Sequence, residues 1–370
     1  MAELLKDVYS KAFIIDLAEQ VLYVYPEFCS TAFQKLIFDA EWNDKALKAR
    51  MSTITRALHR FLPASFEQSI VILKKVAPRF SGYEALFFPD FVEKYGLEDY
   101  QTSLQALEYF TRYSSAEFAV RPFLIKYPEA MMAQMFIWSQ SGNEHVRRLA
   151  SEGCRPRLPW AFALFEFKKD PQPLLIILEQ LKDDDSEYVR RSVANNLNDI
   201  SKDHPDVVIK VAQNWLQEKA DGLNNSINNS IYNNRRRLVK HACRGLLKQA
   251  DPTVLSLFGF HRPENIKIIA FNVDDVVLMG EKLGFSFTLS SPQVLGKLRV
   301  EFAIDFIKKN GSSAAKIFQI SESTITTNCK NIAKQFDFKK ISTRKYYPGL
   351  HHLSVIVNGQ LISKKTFSLK

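Results

Sequence analysis

Apolar residues spaced three and four apart recur along the first 262 residues, as in Leu104, Leu107 and Phe110 and again in Val207, Val208, Val211 and Trp215. That spacing gathers apolar side chains on one face of a helix. Pro26, Pro63, Pro78, Pro89, Pro122, Pro128, Gly142, Pro171 and Pro205 interrupt it and predict breaks between helices there. After Pro263 the pattern changes. Ile266–Val273, Phe285–Leu289 and Leu298–Phe306 are rich in β-branched and aromatic residues, the composition of strands. Lys316–Gln319, Lys334–Phe338 and residues 353–357 and 361–369 complete a set of roughly seven short strands. The last two flank Asn358-Gly359, the strongest hairpin signal in the chain. The expected fold is mainly α, with helices over 1–262, followed by a small all-β immunoglobulin-like sandwich over 265–370 that lacks the disulfide of antibody domains.

Within the helical part a pattern returns. Asn143-Glu-His-Val-Arg-Arg-Leu-Ala is echoed by Asp185-Ser-Glu-Tyr-Val-Arg-Arg-Ser-Val-Ala-Asn-Asn-Leu, and more loosely by Asn234-Arg-Arg-Arg-Leu-Val-Lys-His-Ala-Cys-Arg-Gly-Leu. Val146 to Val189 is 43 residues and Val189 to Val239 is 50. These periods fit HEAT-like repeats, helix pairs stacked into a curved solenoid. Glu117-Phe-Ala-Val-Arg-Pro is a further, altered copy. The inner helices of such a solenoid repeat arginines at 147/148, at 190/191 and over 235–237 along the concave face. The polar tract Asn224–Asn234 reads as a helix-poor loop or a fraying helix start.

Composition narrows the picture. A chain of 370 residues is long enough for two or more domains with substantial cores. No apolar run approaches the ~20 residues of a membrane helix, and the opening, with Glu3 and Asp7, has no apolar signal-peptide core. A cytoplasmic protein is expected. Cys29, Cys154, Cys243 and Cys329 are far apart and form no CxxC pair, and the seven His show no metal-ligand spacing. Neither metal nor cofactor is expected. The net charge is +10, but residues 265–370 hold 16 Lys/Arg against 7 Asp/Glu, whereas residues 1–264 are nearly balanced. A polyanionic partner is the simplest reason for such asymmetry, with solubility as the plain alternative.

The densest chemistry lies in Val146–Trp160, VRRLASEGCRPRLPW. Asn143 can cap a helix carrying Val146, Leu149 and Ala150 on one stripe; Gly153 ends it, and Pro156 and Pro159 forbid its continuation. Arg147, Arg148, Arg155 and Arg157 suit the negative end of a helix dipole, whereas the carboxylate of Glu152 does not. Asp199, in Asn195-Asn-Leu-Asn-Asp-Ile, sits at the corresponding end of the next repeat's helix. Residues that break a local rule inside a cluster of phosphate-binding groups are functional candidates. The plain alternative for each is an ion pair with a neighbouring arginine.

VRRLASEGCRPRLPW, together with DDSEYVRRSVANNLNDISKDHPD at 184–206, resembles the AlkC group of bacterial alkylpurine DNA glycosylases, relatives of the AlkD enzymes built from HEAT-like repeats. MAELLKDVYS at the start and KARMSTITRAL at 48–58 are similar to that group as well. The resemblance covers the helical part, and the β domain matches the immunoglobulin-like extension of some members. It implies removal of cationic N-methylated bases, 3-methyladenine and for AlkC 3-methylcytosine, from double-stranded DNA in base excision repair. It also implies a mode that grips and bends the backbone rather than swinging the nucleotide into a pocket. A bacterial, nucleoid-associated monomer is expected.

A methylated base that is already cationic needs no protonation to leave. What remains is to stabilise an oxocarbenium-like sugar and admit water, which carboxylates can do. Glu152 and Asp199 are the first candidates, and the resemblance adds Glu117. Ser114-x-x-Glu117 is also a good capping box, so a structural role would suffice for Glu117. Trp160 can offer an electron-rich ring to a developing cation, while Trp138 and Trp215 are expected in the core. Arg148, Arg155, Arg157, Arg190 and Arg191 are candidate phosphate anchors. Asn195 and Asn196 either bond DNA or serve helix packing. Lys308, Lys309, Lys339, Lys340, Arg344 and Lys345 would give the β domain affinity for DNA that falls with salt. No lyase lysine is apparent near the acids, so a monofunctional enzyme is expected. The competing reading is a non-catalytic HEAT-like scaffold binding DNA or a protein partner.

Overall fold

A computed structural model describes residues 5–217, 226–339 and 345–370, with side chains left out for 226–229. The chain forms two compact units. One runs to His204 and takes in Trp215–Ala242; the other comprises Pro205–Asn214 and Cys243–Lys370. Sixteen α-helices lie among the described residues. In order they are α1 (Lys11–Val24), α2 (Ser30–Ile37), α3 (Leu47–Phe61), α4 (Phe66–Val76), α5 (Phe87–Tyr95), α6 (Tyr100–Phe110), α7 (Arg121–Lys126) and α8 (Pro128–Trp138). There follow α9 (Glu144–Glu152), α10 (Phe165–Lys169), α11 (Gln172–Leu181), α12 (Glu187–Ile200), α13 (Pro205–Gln217), α14 (Ser226–Ala242), α15 (Arg244–Lys248) and α16 (Pro252–Leu257).

The three echoes of the sequence motif fall on α9, α12 and α14, and α12 packs against both of the others. This is the stacking expected of HEAT-like repeats. α9 starts where the sequence signals it: Asn143 Oδ1 accepts from the backbone N–H of His145 at 2.9 Å and of Val146 at 3.4 Å. It stops at Gly153, though not through a left-handed turn, since φ there is −63°. The glycine is needed for space. A Cβ at this position would lie 2.5 Å from Val120 Cγ2 and 3.0 Å from the Leu149 carbonyl oxygen.

α12 buries apolar Val189, Val193, Leu197 and Ile200, yet its seam with α9 is partly polar. Asn196 Nδ2 donates to the Ser151 carbonyl at 2.8 Å, and Ser192 Oγ lies 3.1 Å from Ser151 Oγ. Asn196 is fully buried, so helix packing accounts for it. On the other side Asn198 Nδ2 donates to the Ala242 carbonyl at the end of α14 at 3.0 Å. The polar tract is helical from Ser226 onward, because α14 extends through it; Asn224 and Asn225 lie outside the described residues. Trp138 and Trp215 are buried, as expected.

Among its described residues the second unit carries eight strands, β1 (Lys267–Val273), β2 (Val276–Val277), β3 (Lys282–Ser290), β4 (Gly296–Ile307), β5 (Ser313–Ile325), β6 (Cys329–Asp337), β7 (Gly349–Val357) and β8 (Gln360–Leu369). They form a sheet β1-β3-β6 and a sheet β2-β8-β7-β4-β5, antiparallel except where β2 meets β8. Seven of them overlap expected strands, though β5 and β6 begin well before the expected Lys316 and Lys334; the two-residue β2 is too short to leave a pattern. β3 alternates buried with half-buried residues, and its Leu283, Phe285, Phe287 and Leu289 join Val300, Phe302, Leu353, Val355 and Phe367 in the core. Asn358 and Gly359 adopt φ of 45° and 79°, the two left-handed residues of a type I′ turn. Lys308, Lys309, Lys339 and Lys345 are exposed outside the strands; Lys340 and Arg344 lie outside the described residues. Among the described residues no helix is long and apolar enough to cross a membrane.

Candidate active site

In the first unit, a cleft of about 530 Å³ is lined by Glu117, Phe118, Arg148, Glu152, Arg155 and Trp160, with Tyr83, His145 and Tyr188 at its walls. α9 supplies Arg148 and Glu152 from successive turns. The Arg-Pro-Arg-Leu-Pro turn after it supplies Arg155 and Trp160, and the loop before α7 supplies Glu117.

Glu152 is only 4% exposed. Its Oε1 accepts from Arg155 Nη1 at 2.6 Å and lies 3.5 Å from Arg148 Nη2, while its Oε2 accepts from Ser192 Oγ on α12 at 2.6 Å. Arg148 also donates through Nη1 to Glu117 Oε2 at 2.9 Å and sits 4.7 Å from the centre of the Tyr188 ring. Arg155 donates through Nε to Asp199 Oδ2 at 2.9 Å, and Asp199 Oδ1 accepts from Lys202 Nζ at 3.0 Å. The result is an alternating series, Glu117, Arg148, Glu152, Arg155, Asp199. Three acids face two guanidinium groups, and two further cations offset the excess negative charge: the half-exposed Lys202 bonded to Asp199, and the buried Arg121 within electrostatic reach of Asp199 and Glu117. Both arginines are held above the ordinary guanidinium range: burial works against their charge, and Glu152 with Glu117 or Asp199 more than compensates.

The expected acids are thus brought together, in two layers. Glu152 and Glu117 line the cleft; Asp199, 2% exposed, stands behind Arg155. The capping box at Ser114 does not form. Ser114 Oγ donates instead to the Gly82 carbonyl at 2.7 Å, no helix begins until Arg121, and Glu117 accepts from Ser115 Oγ at 2.7 Å. The repeat register also corrects the pairing of Glu152 with Asp199. A shift of 43 residues carries Arg148 onto Arg191 but Glu152 onto Asn195. Asp199 falls one turn later because α12 has 14 residues and α9 has 9. Asn195 Oδ1 lies 3.1 Å from His241 Nε2 on α14.

The candidate phosphate anchors divide. Arg157 grips Asp203 with contacts of 2.7 to 3.1 Å, and Arg190 donates to the carbonyls of Asp184 and Asp185. Arg147, the first of its pair, holds Asp184 at 2.6 and 2.9 Å across the repeat boundary. Arg191 is exposed in a second groove of about 310 Å³ between α12 and α14, with Arg237, Asn234 and His241.

Trp160 presents its ring to the cleft, 61% exposed, from a backbone at φ 65°. A bulky residue in the left-handed region is a true outlier. The turn that carries it is anchored by Arg121, which sequence reasoning passed over. This side chain is fully buried and donates to the carbonyls of Gly153 at 3.0 Å, Arg155 at 2.8 Å and Phe162 at 2.5 and 3.1 Å. Burial pushes its pKa down to about 10. The only signal was a lone arginine in the apolar run Phe118-Ala-Val-Arg-Pro-Phe-Leu. Among the described residues no group of three or more His, Cys, Asp or Glu is placed to hold a metal ion.

The family described as "DNA alkylation repair enzyme" matches residues 87–227, which include Glu117, Arg148, Glu152, Arg155, Trp160 and Asp199, and the family described as "Uncharacterised protein YhaZ, C-terminal Ig-like domain" matches residues 267–370. The chain is 42% identical to the uncharacterized protein YhaZ of Bacillus subtilis (strain 168) over 367 residues, 99% of each chain. Among solved structures it is similar to the Pseudomonas fluorescens alkylpurine DNA glycosylase AlkC bound to DNA containing an abasic site analog. The TM-score is 0.91 and the identity 37%, over the full length of both.

Proposed function

The chain belongs to the AlkC group of DNA alkylation repair enzymes, and from that premise we propose that it is a monofunctional DNA glycosylase hydrolysing the N-glycosidic bond of cationic N-methylated bases. The observation that carries this reading is the alternating acid–arginine series at the cleft. A pure DNA clamp gains nothing from carboxylates among its cations, and phosphates would be repelled by them. A sugar developing positive charge is stabilised by them. Glu152, shared between two guanidinium groups and a serine hydroxyl, is held in one orientation. It is the group we assign to the oxocarbenium-like sugar and its water. Glu117 shares Arg148 with it on the cleft wall. Asp199 acts one layer back, fixing Arg155. Trp160 offers its π face at the cleft mouth.

The substrate on this reading is double-stranded DNA carrying 3-methyladenine or 3-methylcytosine, gripped and bent rather than opened by base flipping, and the enzyme acts as a monomer in the bacterial cytoplasm. Arg148 and Arg155 position the acids, while Arg190 and Arg191 add positive charge beside the backbone, and Arg157 would reach a phosphate only by exchanging its partner Asp203. Functionally we divide the chain into an excision domain, residues 1–262, and a basic immunoglobulin-like domain, residues 265–370, that adds salt-sensitive affinity.

The test is release of free base from duplexes carrying each methylated base in turn. Release by the wild type, lost in Glu152→Gln with binding retained, supports the assignment. The scaffold reading draws on the fact that each of the three acids is ion-paired. It prevails if the wild type binds methylated duplex tightly yet frees no base.

A further inference from the structure

The Trp160 turn should not hold itself. Left-handed backbone at a bulky residue is strained and persists only where surroundings over-determine it. Arg121 secures both flanks of the turn, at Gly153, Arg155 and Phe162, but it does not touch residue 160 itself. The contact at the strained peptide comes from far away in sequence: the Lys48 ammonium, near the start of α3, donates to the Trp160 carbonyl. The same ammonium lies 4.2 Å from the centre of the Phe118 ring, which lines the cleft beside Glu117. Lys48 lies outside the 87–227 segment matched to the repair-enzyme family. Its direct contacts are a carbonyl and an aromatic face, with the Glu93 carboxylate within electrostatic reach, so the hydrogen bond it makes goes to backbone.

We propose that Lys48 is a positioning residue of the excision site. By bonding the Trp160 carbonyl it fixes the left-handed turn and so aims the indole across the cleft mouth toward the damaged nucleotide. This rests on the glycosylase reading and goes beyond it in naming what holds the aromatic group. A misplaced group near the reacting atoms costs up to roughly a hundredfold in rate, so the effect belongs in the excision step and not in DNA affinity.

The experiment combines kinetics with a spectroscopic readout. Trp42, Trp138 and Trp215 are 6%, 1% and 2% exposed, so collisional quenching of tryptophan fluorescence by acrylamide reports almost wholly on Trp160. Lys48→Met is expected to slow single-turnover release at saturating protein by roughly tenfold or more. It should also change the quenching constant and leave the dissociation constant for a duplex with a stable abasic-site analogue within about twofold. Lys48→Arg, which can still donate, should restore most of both. A double-mutant cycle decides whether the lysine acts through the indole. In a Trp160→Gly background, where glycine tolerates the left-handed backbone, Lys48→Met should add little. An equal loss in both backgrounds would mean that Lys48 acts by a route other than the indole and overturns the proposal, as would wild-type rates and quenching in Lys48→Met. If Trp160→Gly excises normally while Glu152→Gln does not, the tryptophan has no part in excision and Lys48 falls with it. If the wild type releases no base, it is the glycosylase reading that has failed.

Discussion

Two neighbouring grooves of the helical unit start from the same motif and end with different chemistry. The cleft beside α9 and the groove between α12 and α14 each receive the second arginine of a Val-Arg-Arg sequence, Arg148 in one and Arg191 in the other. In the first, the position a turn later is Glu152, and the arginine is shared between two carboxylates. In the second the equivalent position is Asn195, which meets His241, while Arg191 and Arg237 are exposed. The same repeat therefore yields a charge-alternating site where an acid is inserted and a cationic surface where it is not. On the proposed reading, repetition supplies the grip and departure from repetition supplies the chemistry.

That contrast can be broken by measurement. Removing Arg155 leaves Glu152 and Asp199 without their shared partner, so Arg155→Met should lose about 3 to 5 kcal/mol in denaturant unfolding. Arg237→Met should stay within about 0.5 kcal/mol. Equal losses would mean that the two grooves are held alike. Glu152→Gln should lower single-turnover base release by roughly 10² to 10³ with affinity kept or improved. Arg191→Ala with Arg237→Ala should leave saturated release unchanged; if that pair abolishes release at saturation, the second groove takes part in the chemistry. Each of these two arginines should instead reduce the slope of log affinity against log salt by about 1, read from binding titrations at several ionic strengths. The smallest effect is on the turn: Trp160→Gly should raise thermal stability by up to about 1 kcal/mol while slowing excision. A melting temperature that falls instead would show that the ring stabilises the fold and was not placed there against a backbone cost.

Local signals were legible in the sequence and long-range ones were not. Asn143 announced the start of α9, and Asn358-Gly359 announced its hairpin, because each acts on residues within a turn of itself. Gly153 marked the end of α9 for a different reason than its residue type suggests: what excludes a side chain there is Val120, 33 positions earlier. Ser114 was misread because the Gly82 carbonyl competes for its hydroxyl, which no local pattern records. The acids at 117, 152 and 199 are legible in the sequence as candidates, but not their arrangement in two layers, since that depends on α12 running further than α9. Arg121 and Lys48 escaped notice because their partners are carbonyl oxygens, and a backbone acceptor leaves no trace in residue identity.

The hydrogen-bonded seam between α9 and α12 has a last consequence. An apolar interface between helices tolerates sliding, because one methyl contact is nearly as good as the next. A seam in which Ser192 holds both Ser151 and Glu152, and Asn196 holds the Ser151 carbonyl, has a single alignment. The walls of the cleft are therefore stiff, and whatever lies between them must supply the compliance. If the ligand is the damaged duplex proposed above, so rigid a gauge would test its pliancy: a duplex that yields at a weakened nucleotide would seat fully, and a sound one, costlier to deform, would not.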